Sequence, residues 1–179
     1  LYFSLKEVMS KNTQYKKVFI VRSVVPTRDV GFLPGSVEEK QEVFETPYKA
    51  ICAQLFGDNG PAFYNKMITA HQLQFITTSF IRGLTIDNAI VIVDEMQNLN
   101  FHELDSVITR IGENCRIIFS GDYHQSDFKD QAERNGLQQF LRIMEQMKYI
   151  SVITFGWKDI VRSDFLRDYI MTKEMLGMK

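Results

Sequence analysis

Apolar positions along the chain switch between two spacings, and the switches mark the elements. Leu1, Leu5 and Val8 recur at helical spacing and predict a helix already under way at residue 1. The run at 16–23, Lys-Lys-Val-Phe-Ile-Val-Arg-Ser, is continuous and rich in β formers, and the proline and glycine punctuation of residues 24–36 follows it. It predicts a buried strand feeding a long loop. From Ser36 a helical stretch begins, with Glu38 and Glu39 in its first turn, where they complement the helix dipole, and Tyr48, Ile51, Cys52 and Leu55 at helical spacing. Residues 56–63 form a break, and 73–80 read as a short strand. Ala89 to Val93 is a wholly apolar strand that halts at Asp94 and Glu95. A helix is predicted from about Phe101 to Ile111, with Leu104, Val107, Ile108 and Ile111 on one face. A strand over 116–120 then stops at Gly121 and Asp122. A helix around Leu137 to Met147, a strand over 150–155 and an amphipathic helix starting near Ser163 complete the pattern. Strands that alternate with helices and read as solid apolar runs argue for a mainly parallel sheet in an α/β layered domain.

The length of 179 residues suits one ordinary domain, and a 45% hydrophobic, 24% charged composition is that of a chain able to bury a core. The net charge of -1 excludes a wholesale polyanion binder, but its distribution is uneven. Residues 1–28 carry Lys6, Lys11, Lys16, Lys17, Arg22 and Arg28 against Glu7 alone, whereas residues 29–60 hold six acids and two lysines. The basic stretch suits either a phosphate-facing surface or a solvated helix face. Cys52 and Cys115 match no metal or redox spacing, and three scattered histidines add no ligand cluster, which fits a reducing, cytoplasmic setting. Apolar runs fall short of a membrane span, and the N-terminus lacks the charged head of a signal peptide. The opening Leu-Tyr-Phe-Ser echoes a protease-site scar but lacks its glutamine, and reads as native sequence.

The sharpest chemical feature is Asp94-Glu95 at the end of the apolar 89–93 strand. A buried parallel strand delivers such acids to the edge where open α/β sheets bind ligands. In hydrolases of nucleotides, the first acid of such a pair holds Mg²⁺ through its water shell and the second polarises the attacking water. Solvated acids opening a helix are the plain alternative. A second strand, 116–120, ends in Gly121-Asp122-Tyr123-His124-Gln125, so a glycine turn brings another acid and an amide to the same mouth. Gln125 there is placed to sense a γ-phosphate or orient water.

The run Val-Ile-Val-Asp94-Glu95-Met96-Gln97-Asn98, followed by a helix and then by residues 110–127 with Gly121-Asp122 and Gln125, resembles the Walker B region and the GDxxQ motif of PhoH-like ATPases, relatives of the superfamily-one helicase core. Residues 31–40 with Pro47-Tyr48 are similar to that family's signature loop and helix. Arg82-Gly83-Leu84-Thr85 is similar to its RGxT segment and Asp159-Ile160-Val161-Arg162 to its DVVR element. These elements stand in family order over nearly the whole chain, which looks closest to the short, bacteriophage-type members without a PIN nuclease domain. The resemblance implies a three-layer RecA-like fold of the P-loop NTPase type, with helices on both faces of a mainly parallel sheet. It implies ATP and Mg²⁺ as cofactors, Asp94 at the metal, Glu95 activating water, and Gln125 at the γ-phosphate. Arg162 is implied as an arginine finger reaching a neighbouring subunit of a ring, expected to be a hexamer, although Asp159 and Asp164 offer it surface pairing instead. RNA or single-stranded DNA is the implied partner, with Arg22, Arg28, Phe32 and Arg82 facing it in a helicase-like manner; Phe32 also suits a packing plug.

The chain departs from the family at four points. Leu84, Met96 and Ser163 replace the usual arginine, alanine and histidine, and no G-x-x-x-x-G-K-[ST] phosphate loop occurs in the sequence. The resemblance places that loop immediately upstream of the first helix. The expectation is therefore residues 1–179 as a single RecA-like core lacking its N-terminal phosphate-loop segment, with an added segment or a partner strand filling the gap. The same absence also fits a catalytically silent module that binds nucleic acid or protein. A two-carboxylate metal hydrolase or nuclease is a third class, weakened because the GDxxQ amide has no role in it.

Overall fold

In the computed structural model, the described residues are 1–23, 37–122 and 131–178, with the side chains of 37–44 and 131–135 left aside. Four parallel strands form one sheet: β1 (Lys17–Arg22), β2 (Leu73–Thr77), β3 (Ala89–Val93) and β4 (Arg116–Phe119), in the order β2-β1-β3-β4. Val18 pairs with Leu73 on one side and with Ile90 on the other, and Ile90 pairs onward with Arg116. Every residue of β3 is buried, as its unbroken apolar run requires of a strand covered on both faces.

The helices are α1 (Tyr2–Val8), α2 (Val37–Phe56), α3 (Gly60–Thr69), α4 (Phe101–Ile108), α5 (Gln131–Gln146) and α6 (Asp164–Met175). Two cores divide them. Leu5 and Val8 of α1, Tyr48 and Cys52 of α2, and Tyr64 and Met67 of α3 pack on Val18, Ile20, Ile90 and Ile92. Leu104 and Val107 of α4 with Leu137, Phe140 and Met144 of α5 pack on Phe19, Val21, Val91 and Val93. Because strand side chains alternate faces, odd and even positions of the same strands feed opposite cores. The result is the α/β architecture, a mainly parallel sheet between helical layers, consistent with a RecA-like P-loop NTPase fold.

Three elements differ from the expectation. Helix α3 was not anticipated, because its Gly-Asp-Asn-Gly-Pro approach reads as a long break. In the structure Gly57 takes a φ of 62° and ends α2 cheaply, and Pro61 then starts α3 in its first turn. Gly60 is required there: a Cβ would lie 2.3 Å from the Ala53 Cα, so its absence lets the two helices close on each other. Helix α5 begins earlier than the apolar pattern suggested. The strand expected at 150–155 does not form. A strand exists only with a ladder partner, and among the described residues the sheet ends at β4, leaving Val152, Ile153 and Phe155 exposed.

Candidate functional site

The strand order creates the site before any side chain is considered. From β1 the chain crosses one way through α2 and α3 to β2, then returns to the other side of β1 as β3. The crevice at the carboxyl ends of β1 and β3 is thus the topological switch point, where open parallel sheets take their ligands. Arg22 ends β1 there and Ser23 follows it, as Asp94 and Glu95 follow β3.

Asp94 continues the ladder by donating its N–H to the Val21 carbonyl at 2.9 Å, which fixes its backbone beside β1. Its carboxylate Oδ2 accepts a 2.6 Å hydrogen bond from the Tyr48 hydroxyl of α2. Burial and this carboxylate push the Tyr48 phenol well above its ordinary range, while the nearby Arg22 guanidinium opposes the rise. Glu95 takes a left-handed conformation, φ 51° and ψ 44°, which is uncommon for a residue with a Cβ and turns the chain sharply off the strand axis. A short 3-10 turn, Met96–Asn98, follows.

Gln97 holds this turn to the next strand. Its side chain is 3% exposed, its amide donates to the Glu95 carboxylate, and its carbonyl accepts from the Asp122 N–H at 3.1 Å. The Met96 N–H donates to the Ser120 carbonyl at 3.0 Å, so the ends of β3 and β4 are joined by main chain as well. Gly121 makes the approach possible, since a Cβ at that position would stand 2.3 Å from Gln97 Oε1 and 2.7 Å from Met96 Cγ.

A second polar tie lies at the same rim. Asn100 caps α4 in a reciprocal capping box with Glu103. The same Glu103 carboxylate accepts from Ser23 Oγ at 2.9 Å and Thr78 Oγ1 at 2.6 Å. One glutamate therefore binds the ends of β1 and β2 to the start of α4.

The structure brings Arg22, Asp94, Glu95 and the Gly121-Asp122 turn to one edge. Gln125, Arg28 and Phe32 lie outside the described residues. Arg82 is exposed on the loop after β2, where Gly83 takes a φ of 86°. Arg162 is exposed in the turn before α6, a helix with no buried residue, and is not part of the hydrogen-bonded strand-end cluster. Sequence reading gave no role to Gln97 or Glu103 and did not connect Tyr48 to Asp94. The Asn100-x-x-Glu103 box was a readable helix-start signal; the cross-strand contacts were not.

Among the described residues no group of three or more His, Cys, Asp or Glu side chains is placed to cage a metal ion. Magnesium in nucleotide sites is commonly held by one carboxylate through retained waters together with substrate phosphates. Asp94 is a hard oxygen donor at the switch point and fits that manner of binding. No helix of the described residues is long and apolar enough to cross a membrane.

Comparison with known proteins gives a family. The family model described as PhoH-like protein matches residues 4–173. The chain is 35% identical over 115 residues to the Bacillus subtilis protein PhoH2, covering 63% of this chain and 26% of that protein. It is 30% identical over 151 residues to Escherichia coli protein PhoH, covering 82% of this chain and 41% of the relative. A PhoH-like protein of Bacillus subtilis is 30% identical over 154 residues, with 85% and 47% covered. The chain thus spans less than half the length of these relatives.

Proposed function

The chain belongs to the PhoH-like protein family, and from that premise we propose that it is the core of an Mg²⁺-dependent ATPase acting on RNA or single-stranded DNA. The observation that carries this reading is the Gln97 bridge, which joins the acid pair after β3 to the Gly121-Asp122 turn after β4 at the switch point. In this reading Asp94 would hold magnesium through the ion's water shell, and the ion would supply neutralisation of phosphate charge. Glu95 takes a proton from the attacking water, and Gln97 keeps the Glu95 carboxylate aimed across the crevice. Gln125, three residues past Asp122, senses the γ-phosphate, and Arg162 completes the site of a neighbouring copy in a ring. Arg22, Arg28, Phe32 and Arg82 supply the nucleic-acid face. The reading requires a phosphate cradle in addition to residues 1–179, which contain no glycine-lysine loop.

A second reading is a binding module that keeps the fold without turnover. ATP hydrolysis in Mg²⁺, measured with and without single-stranded RNA, separates the two. The ATPase reading expects turnover that drops at least about 10²-fold in Glu95→Gln, the usual worth of a positioned base. Nucleic-acid binding with no turnover in the product of the full reading frame, rather than in residues 1–179 alone, would establish the silent module instead.

A further inference from the structure

The Asp94 carboxylate is not left to its own backbone. Tyr48 reaches it from α2, across the helical layer, with a ring that is 5% exposed and packs on Phe75 of β2 at a centroid distance of 5.8 Å. The ring is therefore held by packing, and its hydroxyl can meet only what stands above the ends of β1 and β3. A buried tyrosine needs some partner for its O–H, and many acceptors would serve. Here the acceptor is a carboxylate oxygen at the switch point, 2.6 Å away, in a charge-assisted bond.

A carboxylate on a two-torsion side chain rotates unless something holds it. With Oδ2 tied to a packed phenol, rotation of the group is restricted and Oδ1 is left as the oxygen free to face the crevice. An outer-sphere magnesium contact depends on that direction, because the ion keeps its octahedral water shell and offers hydrogen bonds only along fixed lines. We propose that Tyr48 is a positioning residue, whose hydroxyl orients the Asp94 carboxylate toward the water shell of the metal. This rests on the ATPase reading above. Tyr48 itself touches neither metal nor nucleotide in this account; it acts through Asp94.

The test is the Mg²⁺ dependence of ATP turnover, together with Mg²⁺ affinity read at equilibrium without turnover by competition with Mn²⁺, in the unsubstituted protein, in Tyr48→Phe and in Tyr64→Phe, at a temperature where thermal unfolding shows all three folded. Tyr64 is a fitting control, since its buried phenol on α3 donates to Glu45 at 3.2 Å rather than to a strand-end acid. The expected result is a rise of roughly tenfold in half-saturating Mg²⁺ for Tyr48→Phe, the scale of one hydrogen bond to a charged group, with the KM for ATP at saturating Mg²⁺ little changed. Tyr64→Phe should leave the Mg²⁺ curve in place. An unchanged curve for Tyr48→Phe overturns the inference while the ATPase reading stands. Equal shifts in both variants overturn it as well, because they mark a general loosening of the helical layer. No turnover in the unsubstituted protein overturns the ATPase reading and this inference together.

Discussion

Replacing Gly121 by alanine adds a single methyl group at the tightest point of the site, and its cost can be worked from distances. The new Cβ would lie 2.3 Å from Gln97 Oε1, 2.7 Å from Met96 Cγ and 3.1 Å from the Met96 N. Met96 can swing its flexible end away, but the amide of Gln97 is buried and bonded on both sides. To reach ordinary contact the oxygen must retreat by about 1 Å, which stretches its 3.1 Å bond from the Asp122 N–H beyond hydrogen-bond range. Losing this hydrogen bond and displacing a buried amide costs about 1–3 kcal/mol, and the crowding against Met96 adds overpacking strain of about 1 kcal/mol. The sum, about 2–4 kcal/mol, lowers the melting temperature by roughly 5–12 °C for a domain of this size. Thermal unfolding followed by circular dichroism measures it. The reasoning also predicts coupling: in a Gln97→Ala background the obstructing oxygen is gone, and Gly121→Ala should cost at least about 1 kcal/mol less. A Gly121→Ala protein within about 0.5 kcal/mol of the unsubstituted one, or costs that simply add, would refute the account, since that range is what an ordinary surface substitution gives.

Glu103→Ala removes the acceptor shared by Ser23, Thr78 and the Asn100 N–H, and should destabilise by about 2–4 kcal/mol in urea unfolding, since it takes away one half of the capping box, with the Asn100 cap itself kept, and leaves two buried hydroxyls unpaired. A loss below about 0.5 kcal/mol would mean that water replaces the carboxylate at no cost. The phenols of Tyr48 and Tyr64 are both raised by burial and by neighbouring carboxylates. The unfolded chain gives up these protons near pH about 10 while the native chain keeps them, so stability is complete below that pH and falls as pH rises above it, by up to about 1.4 kcal/mol per unit for each phenol. Urea unfolding between pH 9 and 11 should show a shallower decline in Tyr48→Phe and in Tyr64→Phe; an unchanged slope in the double variant would place the alkaline sensitivity elsewhere.

Elements whose hydrophobic pattern is self-sufficient were legible from the chain alone. The five apolar residues of β3 followed by two acids announce a buried parallel strand with chemistry at its end, and β1 behaves likewise, whereas β4, equally apolar in sequence, is the edge of the described sheet with Arg116 and Ile118 exposed. Residues 150–155 carry a similar pattern and form no strand, because pattern reports what a segment can bury while pairing depends on what stands beside it. Helix α3 was hidden for the opposite reason: a Gly57 that ends one helix and a Pro61 that starts the next look, in sequence, like one loop. The acids themselves were readable; their partners were not. Tyr48 and Asp94 are 46 positions apart, and Ser23 and Glu103 are 80, so only the closed sheet reveals them as neighbours.

Those partners share a placement that bears on mechanism. Glu103 joins the ends of β1 and β2, Gln97 joins β3 to the turn after β4, and Tyr48 joins α2 to β3, so every strand end on this rim is cross-tied by a side chain other than the proposed metal-holding and base residues. Holding Glu95 in a left-handed backbone costs about 1–3 kcal/mol, and such strain persists only where the surroundings over-determine it. Here the over-determination is visible: the Gln97 amide grips the Glu95 carboxylate while the Met96 N–H is bonded to Ser120. A rim tied in this way presents its acids already oriented, and a site that need not reorganise as charge develops is one in which each polar group acts at full strength. Loosening any tie should therefore affect turnover through the orientation of Asp94 or Glu95 even where the acids themselves are untouched.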